Sequence, residues 1–344
     1  MIILIHLFFA ILLFIFQNKL GAKAYSIGYV KFSLLDEKDE ALSINFVLKV
    51  FGPIVFLILL SAILQYLNLI EYKVNIINVI YYYIAIRIMI IFLYERVKIV
   101  NWGRIIFYYI TIIILARVFY TEFIDKAFDL LPDLDNIKNE IWLLIILFLY
   151  ELGNGFQEKI PNNQYQETNL TYLPDLRPRK KRYILSKYNI FKQTYESILP
   201  SFQQMDANFI DPNFRVTIIS ILIFENFNRP RIIRFLERIW VRISKQTVTQ
   251  GVMQVSSSQV LSDVNSLKKG MSNLSLEYSR LKAEDNRRPF SNLIKKHCPD
   301  RKYVRQVLFI AKCIIDNSED NSNYQGVMDE ITVEFDLFDR HMFY

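Results

Sequence analysis

The sequence predicts a mostly α-helical chain, with an N-terminal transmembrane helix bundle followed by a C-terminal α-rich domain. Two observations carry this. Residues 1–155 hold 13 basic and 13 acidic side chains, so they are neutral, and long apolar runs divide them. Residues 156–344 carry the whole net charge of +7, and their apolar residues recur at spacings of three and four. The expected division is a membrane part over 1–155, a linker with a basic collar over 156–194, and a helical domain over 195–344.

A spanning helix needs roughly 20 mostly apolar residues to cross ~30 Å of hydrocarbon. Met1–Phe16, Phe51–Ile70, Val74–Tyr94 and Ile105–Tyr120 come near that length, so four spans are expected by residue 120. Ile141–Tyr150 is shorter and reads as a fifth span, an interfacial helix or a core helix. Met1–Phe16 has no basic leader and no small-residue cleavage site, so it reads as a retained span. The expected setting is an integral membrane protein in a bacterial inner membrane.

With five spans, loops 17–50 and 95–104 share a side with the C-terminal domain. They carry Lys19, Lys23, Lys31, Lys38, Lys49, Arg96, Lys98 and Arg104, against Lys73, Lys126 and Lys138 opposite. The excess of Lys and Arg in short cytoplasmic loops then places the C-terminal domain in the cytoplasm. With four spans it lies outside.

Arg87 and Arg117 interrupt apolar runs. Intramembrane cations mark functional sites by default. The plainer alternatives are that Arg117 snorkels to the interface and Arg87 pairs within the bundle. Tyr81, Tyr82, Tyr83, Phe107, Tyr108 and Tyr109 fit interfacial aromatic belts without any cofactor.

Pro174 and Pro178 break helices in the linker, and Arg177–Arg182 forms a cationic collar. The collar suits either anionic lipid headgroups or a solvated topology marker. Beyond Ser186 helical periodicity runs through Tyr188–Leu199, Phe214–Phe224, Ile232–Ile243 and Tyr303–Ile315. Pro230 suits a first helical turn with Asn228 as its N-cap. Arg231, Arg234, Arg238 and Arg242 then share one face, and Ile232, Phe235, Leu236, Ile239 and Ile243 the other. Such a basic amphipathic helix either sinks its apolar side into the core, lies on a membrane, or binds a phosphate-bearing substrate.

Cys298 and Cys313 form no CxxC pair and lack metal-ligand spacing, so no metal or other cofactor is expected. Cys313, inside Val307–Ile315, reads as a buried thiol. No glycine-rich phosphate loop occurs among the nine glycines. Ser266-Leu267-Lys268-Lys269 fits a Ser-x-x-Lys string without a companion motif. No nucleic-acid reader motif accompanies the positive charge.

Two segments carry the chemistry. Glu225 ends the apolar run Val216–Phe224, and its desolvated edge is expected to raise the pKa enough for a general acid. About 26 residues later comes Gly251-Val252-Met253-Gln254-Val255. This order resembles the lytic transglycosylase and goose-type lysozyme group, with a catalytic Glu and then a Gly-Leu-Met-Gln type stretch. Thr247-Val248-Thr249-Gln250 also resembles a segment of the transglycosylase domain of bifunctional penicillin-binding proteins. Ile315-Asp316-Asn317-Ser318, with Tyr324 and Val327, resembles a degraded Tyr-Asn-Gly segment of the lysozyme-like fold. The resemblance covers residues 200–335, under half of the chain.

It implies a lysozyme-like C-terminal domain acting on peptidoglycan strands. Glu225 is then the acid/base, and Thr249, Met253, Gln254, Asn317 and Tyr324 bind substrate. Asp316 replaces the Tyr of Tyr-Asn-Gly, and Asn226 follows Glu225 where the families favour Ser or Asp. The usual two-carboxylate hydrolase needs a partner carboxyl, and Asp263 is the candidate near the motif. A transglycosylase resembles a one-carboxylate solution in which Glu225 serves twice. The alternatives are a relic fold in a membrane effector or sensor that binds a ligand or partner without cleavage, an architecture that suits bacterial conflict, and a transporter-like scaffold.

Overall fold

The structure, a computed structural model, describes residues 1–23, 46–124, 143, 147, 178–202, 207–284, 286–318 and 321–340. The chain divides into two compact units, Met1–Phe92 with Val100–Leu170, and Leu93–Ile99 with Thr171–Tyr344. Apart from one short hairpin, the described regular structure is helical.

The first unit contains α1 (Ile2–Lys23), α2 (Gly52–Tyr66), α3 (Asn78–Leu93) and α4 (Trp102–Phe119). Wide π turns extend α2 backward from Val47 and α4 forward to Ile124. α2 is apolar on all sides and lies in the middle, with Ala10 and Leu13 of α1 and Tyr108, Ile112 and Ala116 of α4 in the same core. α1 and α4 turn many apolar side chains outward, such as Phe8, Ile11, Ile110 and Ile114. Water penalises such a surface and hydrocarbon does not.

Among the described residues three helices are long and apolar enough to cross a membrane, Ile2–Leu20, Val47–Tyr66 and Trp102–Ile124. The fourth expected span falls short. Ile70–Lys73 makes a 3₁₀ turn, Asn75 takes a left-handed backbone, and the helix starts only at Asn78. Its 16 residues reach ~24 Å at 1.5 Å per residue, against ~30 Å of hydrocarbon. Hydropathy alone missed this, because Val74, Ile76 and Ile77 are apolar but belong to the turn. The segment Ile141–Tyr150, on which the five-span count and the orientation rest, lies outside the described residues except for 143 and 147.

Arg87 finds aromatic partners in the bundle. Its Nε donates to the Tyr83 hydroxyl at 3.0 Å, and its guanidinium lies over the Phe14 and Tyr83 rings. Arg117 points outward near the end of α4, as snorkelling requires.

The second unit contains α5 (Pro178–Ile198), α6 (Pro212–Asn228), α7 (Arg231–Ser244), strands β1 (Val248–Gln250) and β2 (Val255–Ser257), α8 (Asp263–Ala283), α9 (Pro289–His297), α10 (Arg301–Ile315) and α11 (Gln325–Arg340). α6 is the central helix. Asp211 caps its first turn by accepting from the Asn213 N–H at 2.9 Å, and Pro212 opens it. Every residue from Val216 to Phe227 is buried, the polar Thr217, Ser220, Glu225 and Asn226 along with the apolar majority, which marks a central helix. α5 and α10 pack against it.

Two local expectations shift. Pro178 does not break a helix but opens α5, because proline's fixed φ and missing N–H cost nothing in a first turn. The collar residues Arg179–Arg182 are therefore helical, and Arg177 lies outside the described residues. Asn228 is the last residue of α6, and Pro230 takes the cap position of α7.

Loop Leu93–Ile99 belongs to this second unit although it joins α3 to α4. Glu95 pairs with Lys187 of α5 at 2.6 Å and with Arg231 of α7 at 3.6 Å. Burial works to raise the Glu95 pKa, but the Lys187 ammonium overcomes it and holds the carboxyl below its ordinary value. Arg96 lies over the Phe227 ring at 4.7 Å.

Candidate functional site: two glutamates and a β-hairpin

Glu225 sits in the last turn of α6, 8% exposed. Its Oε1 accepts from the Tyr303 hydroxyl at 2.7 Å and lies 3.4 Å from His297 Nε2. Tyr303 comes from α10, and its ring meets Phe224 edge-on at 4.9 Å. Burial, and then the Glu225 carboxylate beside it, push the Tyr303 phenol far above its usual pKa. Tyr303 therefore keeps its proton and remains a donor to Glu225 throughout the working pH range.

A second carboxyl lies within electrostatic reach. Burial raises the Glu237 pKa, Arg229 opposes the shift, and the charge of Glu225 adds to it. Arg229 Nη1 bonds Glu237 Oε1 at 3.1 Å. The same nitrogen meets Gln254 Oε1 and, at 3.5 Å, Thr249 Oγ1. One guanidinium thus gathers an α7 carboxyl and two hairpin side chains. Glu237 Oε2 is buried and has no hydrogen-bond partner among the described residues.

Behind this cluster Arg234 is 3% exposed. It bonds the Asp263 carboxylate at 3.2 Å, Asn226 Oδ1 at 3.2 Å and the Arg229 carbonyl at 2.5 Å. It therefore clamps the end of α6 to the starts of α7 and α8. Asp263, the partner carboxyl expected from the sequence, is committed to this clamp. Glu237 is the carboxyl within electrostatic reach of Glu225.

The hairpin is held from within. Val248 pairs with Ser257 and Gln250 with Val255 in the antiparallel register. The Gln250 amide donates to the carbonyls of Ser257 and Gln259, both at 2.9 Å, and accepts from the Leu261 N–H at 3.2 Å. Ser266 Oγ donates to the Gln250 carbonyl at 3.0 Å and accepts from the Met253 N–H at 3.1 Å. Ser266 is fully buried, so the Ser-x-x-Lys string holds a bracing hydroxyl.

Gly251 and Gln254 both take left-handed backbones, φ 71° and 48°. A Cβ on Gly251 would stand 2.3 Å from Ser266 Cβ. Gly251→Ala is therefore expected to cost about 1–2 kcal/mol for the left-handed backbone, and more for the clash. A lowered thermal midpoint of the solubilised chain checks this, and an unchanged midpoint contradicts it.

The expected site residues separate into two groups. Gln254 and Thr249 meet at Arg229, and Glu225 lies within electrostatic reach of the same cluster through Glu237. Met253 is buried, its side chain against Gly270 of α8. Asn317 Nδ2 donates to the Cys313 carbonyl at 2.7 Å and closes the end of α10. Tyr324 is buried and bonds Tyr188. Neither Asn317 nor Tyr324 bonds a residue of the Glu225 cluster. Arg229, Glu237, His297 and Tyr303 were missed in the sequence. Their only signal was Glu237 as the lone acid on an otherwise basic helix.

Cys298 and Cys313 are free thiols, and burial pushes Cys313 up to about 11. Among the described residues no group of three or more His, Cys, Asp or Glu side chains is placed to hold a metal ion. No protein-family model, curated protein or solved structure matches this chain, so the site is defined by its own geometry.

Proposed function

We propose that the C-terminal unit is a membrane-tethered, lysozyme-like glycan-processing domain acting on peptidoglycan strands, with Glu225 as general acid and then base. The observation that supports it most is the Arg229 junction. It joins Thr249 and Gln254, the hairpin residues of the family-like motif, to a second glutamate within electrostatic reach of Glu225.

Tyr303 and His297 both engage Oε1 of Glu225, so in this reading Oε2 is the oxygen that would present a proton to the substrate. That proton passes to the glycosidic oxygen as the C–O bond to the anomeric carbon breaks. A hydroxyl of the same sugar then closes on that carbon and returns its proton to Glu225. Glu237 is a positioning residue, held by Arg229 and holding Gln254 and Thr249 through it.

A second reading, a membrane effector or sensor that binds without cleaving, draws on loop 93–99. Arg96 and Lys98 lie in the same unit as the domain. The positive-inside rule favours the cytoplasm for both, and glycan strands lie outside.

The test is release of soluble fragments from purified peptidoglycan by the detergent-solubilised full chain, paired with a compartment-specific reporter fused at Tyr344. Release with an outward reporter is expected. No release above background, with an inward reporter, replaces this reading with the second.

A further inference from the structure

The amphipathic helix α7 is turned the opposite way from an ordinary surface helix. Its inward side carries Arg234 and Val241, both buried. Its apolar stripe of Phe235, Leu236, Ile239, Trp240 and Ile243 faces out, with Trp240 57% and Ile243 73% exposed. Arg231, Arg238 and Arg242 recur at helical spacing along one edge of that stripe. We propose that α7 lies in the headgroup layer of an anionic bilayer, with its apolar stripe in the acyl boundary and its arginine edge on lipid phosphates.

The occupant follows from two features. An apolar stripe with a cationic edge and a tryptophan matches the interface between acyl chains and anionic headgroups. The chain also supplies the lipid. Arg231, the first residue of α7, pairs with Glu95, and seven residues beyond Glu95 the chain enters Trp102–Ile124, a helix long and apolar enough to span. Covalent connection therefore keeps the stripe at a bilayer's effective concentration. The inference does not depend on glycan cleavage.

The test uses the full chain reconstituted into phosphatidylcholine vesicles, with and without phosphatidylglycerol, each doped with bromine-labelled lipid as quencher. The Trp240 signal is the fluorescence lost in Trp240→Phe. It is expected to be quenched in the anionic vesicles, and by about twofold or more less in pure phosphatidylcholine or in Arg238→Gln/Arg242→Gln. Both substituted arginines lie at the edge of the stripe and take no part in the Arg234 side-chain clamp. Arg238 Nε donates to the Arg234 backbone carbonyl, at 3.2 Å, and an unchanged circular dichroism spectrum shows that the variant is folded. A Trp240 signal untouched by the quencher in both lipids overturns the proposal. So does shielding that grows with the protein-to-lipid ratio, which assigns the stripe to a second copy.

Discussion

Arg234→Ala is expected to lower the unfolding free energy of the C-terminal unit by about 3 kcal/mol. Removing one partner of a fully buried ion pair costs roughly 3–5 kcal/mol. Asp263 is about one-third exposed, so water screens part of the charge left behind. Two further losses restore the figure. Asn226 Oδ1, which is buried, and the Arg229 carbonyl, which is part-buried, each lose a charged donor, and a stranded buried acceptor costs roughly 1–3 kcal/mol, less where water reaches it. Urea unfolding of the solubilised chain, followed by far-ultraviolet circular dichroism, measures the effect. Arg234→Ala/Asp263→Ala should fall short of the sum of the single losses, because the residues share one interaction. An unchanged midpoint, or strict additivity, contradicts the clamp.

Glu225→Gln is expected to lower glycan turnover by about 100-fold or more, the usual worth of a positioned acid or base. The amide keeps the shape and still accepts from Tyr303, so the fold is expected to stand. What it lacks is the transferable proton. Glu237→Gln should cost less, since it weakens the pull on Arg229 without removing the acid. The assay is the initial rate of fragment release at matched protein, with the unfolding midpoint as control. Equal rates for Glu225→Gln and wild type, or a larger loss in Glu237→Gln, would reverse the roles assigned here.

How much was legible follows from what each signal can encode. Apolar length disclosed α1, α2 and α4, because crossing hydrocarbon demands an uninterrupted run. It overran at α3, where hydropathy does not register a left-handed Asn75. The Val216–Phe224 run disclosed α6 and put Glu225 on a buried helix. Periodicity gave the two faces of α7 but not which one turns inward. The Arg234 clamp decides that, and it depends on Asn226 and Asp263, eight and 29 positions away. Strands of three residues are too short to alternate visibly, so the hairpin escaped and Ser266 and Gln250 could not be read as its braces. Tyr303 and His297 reach Glu225 from more than 70 positions away, and no local pattern carries such a contact.

The central claim is that one carboxyl, Glu225, cleaves glycan with the substrate closing on itself. The mass spectrum of the fragments released from purified peptidoglycan tests it most directly. Fragments one water lighter than hydrolysis products, formed by wild type and lost in Glu225→Gln, are the predicted result. Fragments that have gained water at the cleaved bond, or the same spectrum from both proteins, would contradict it.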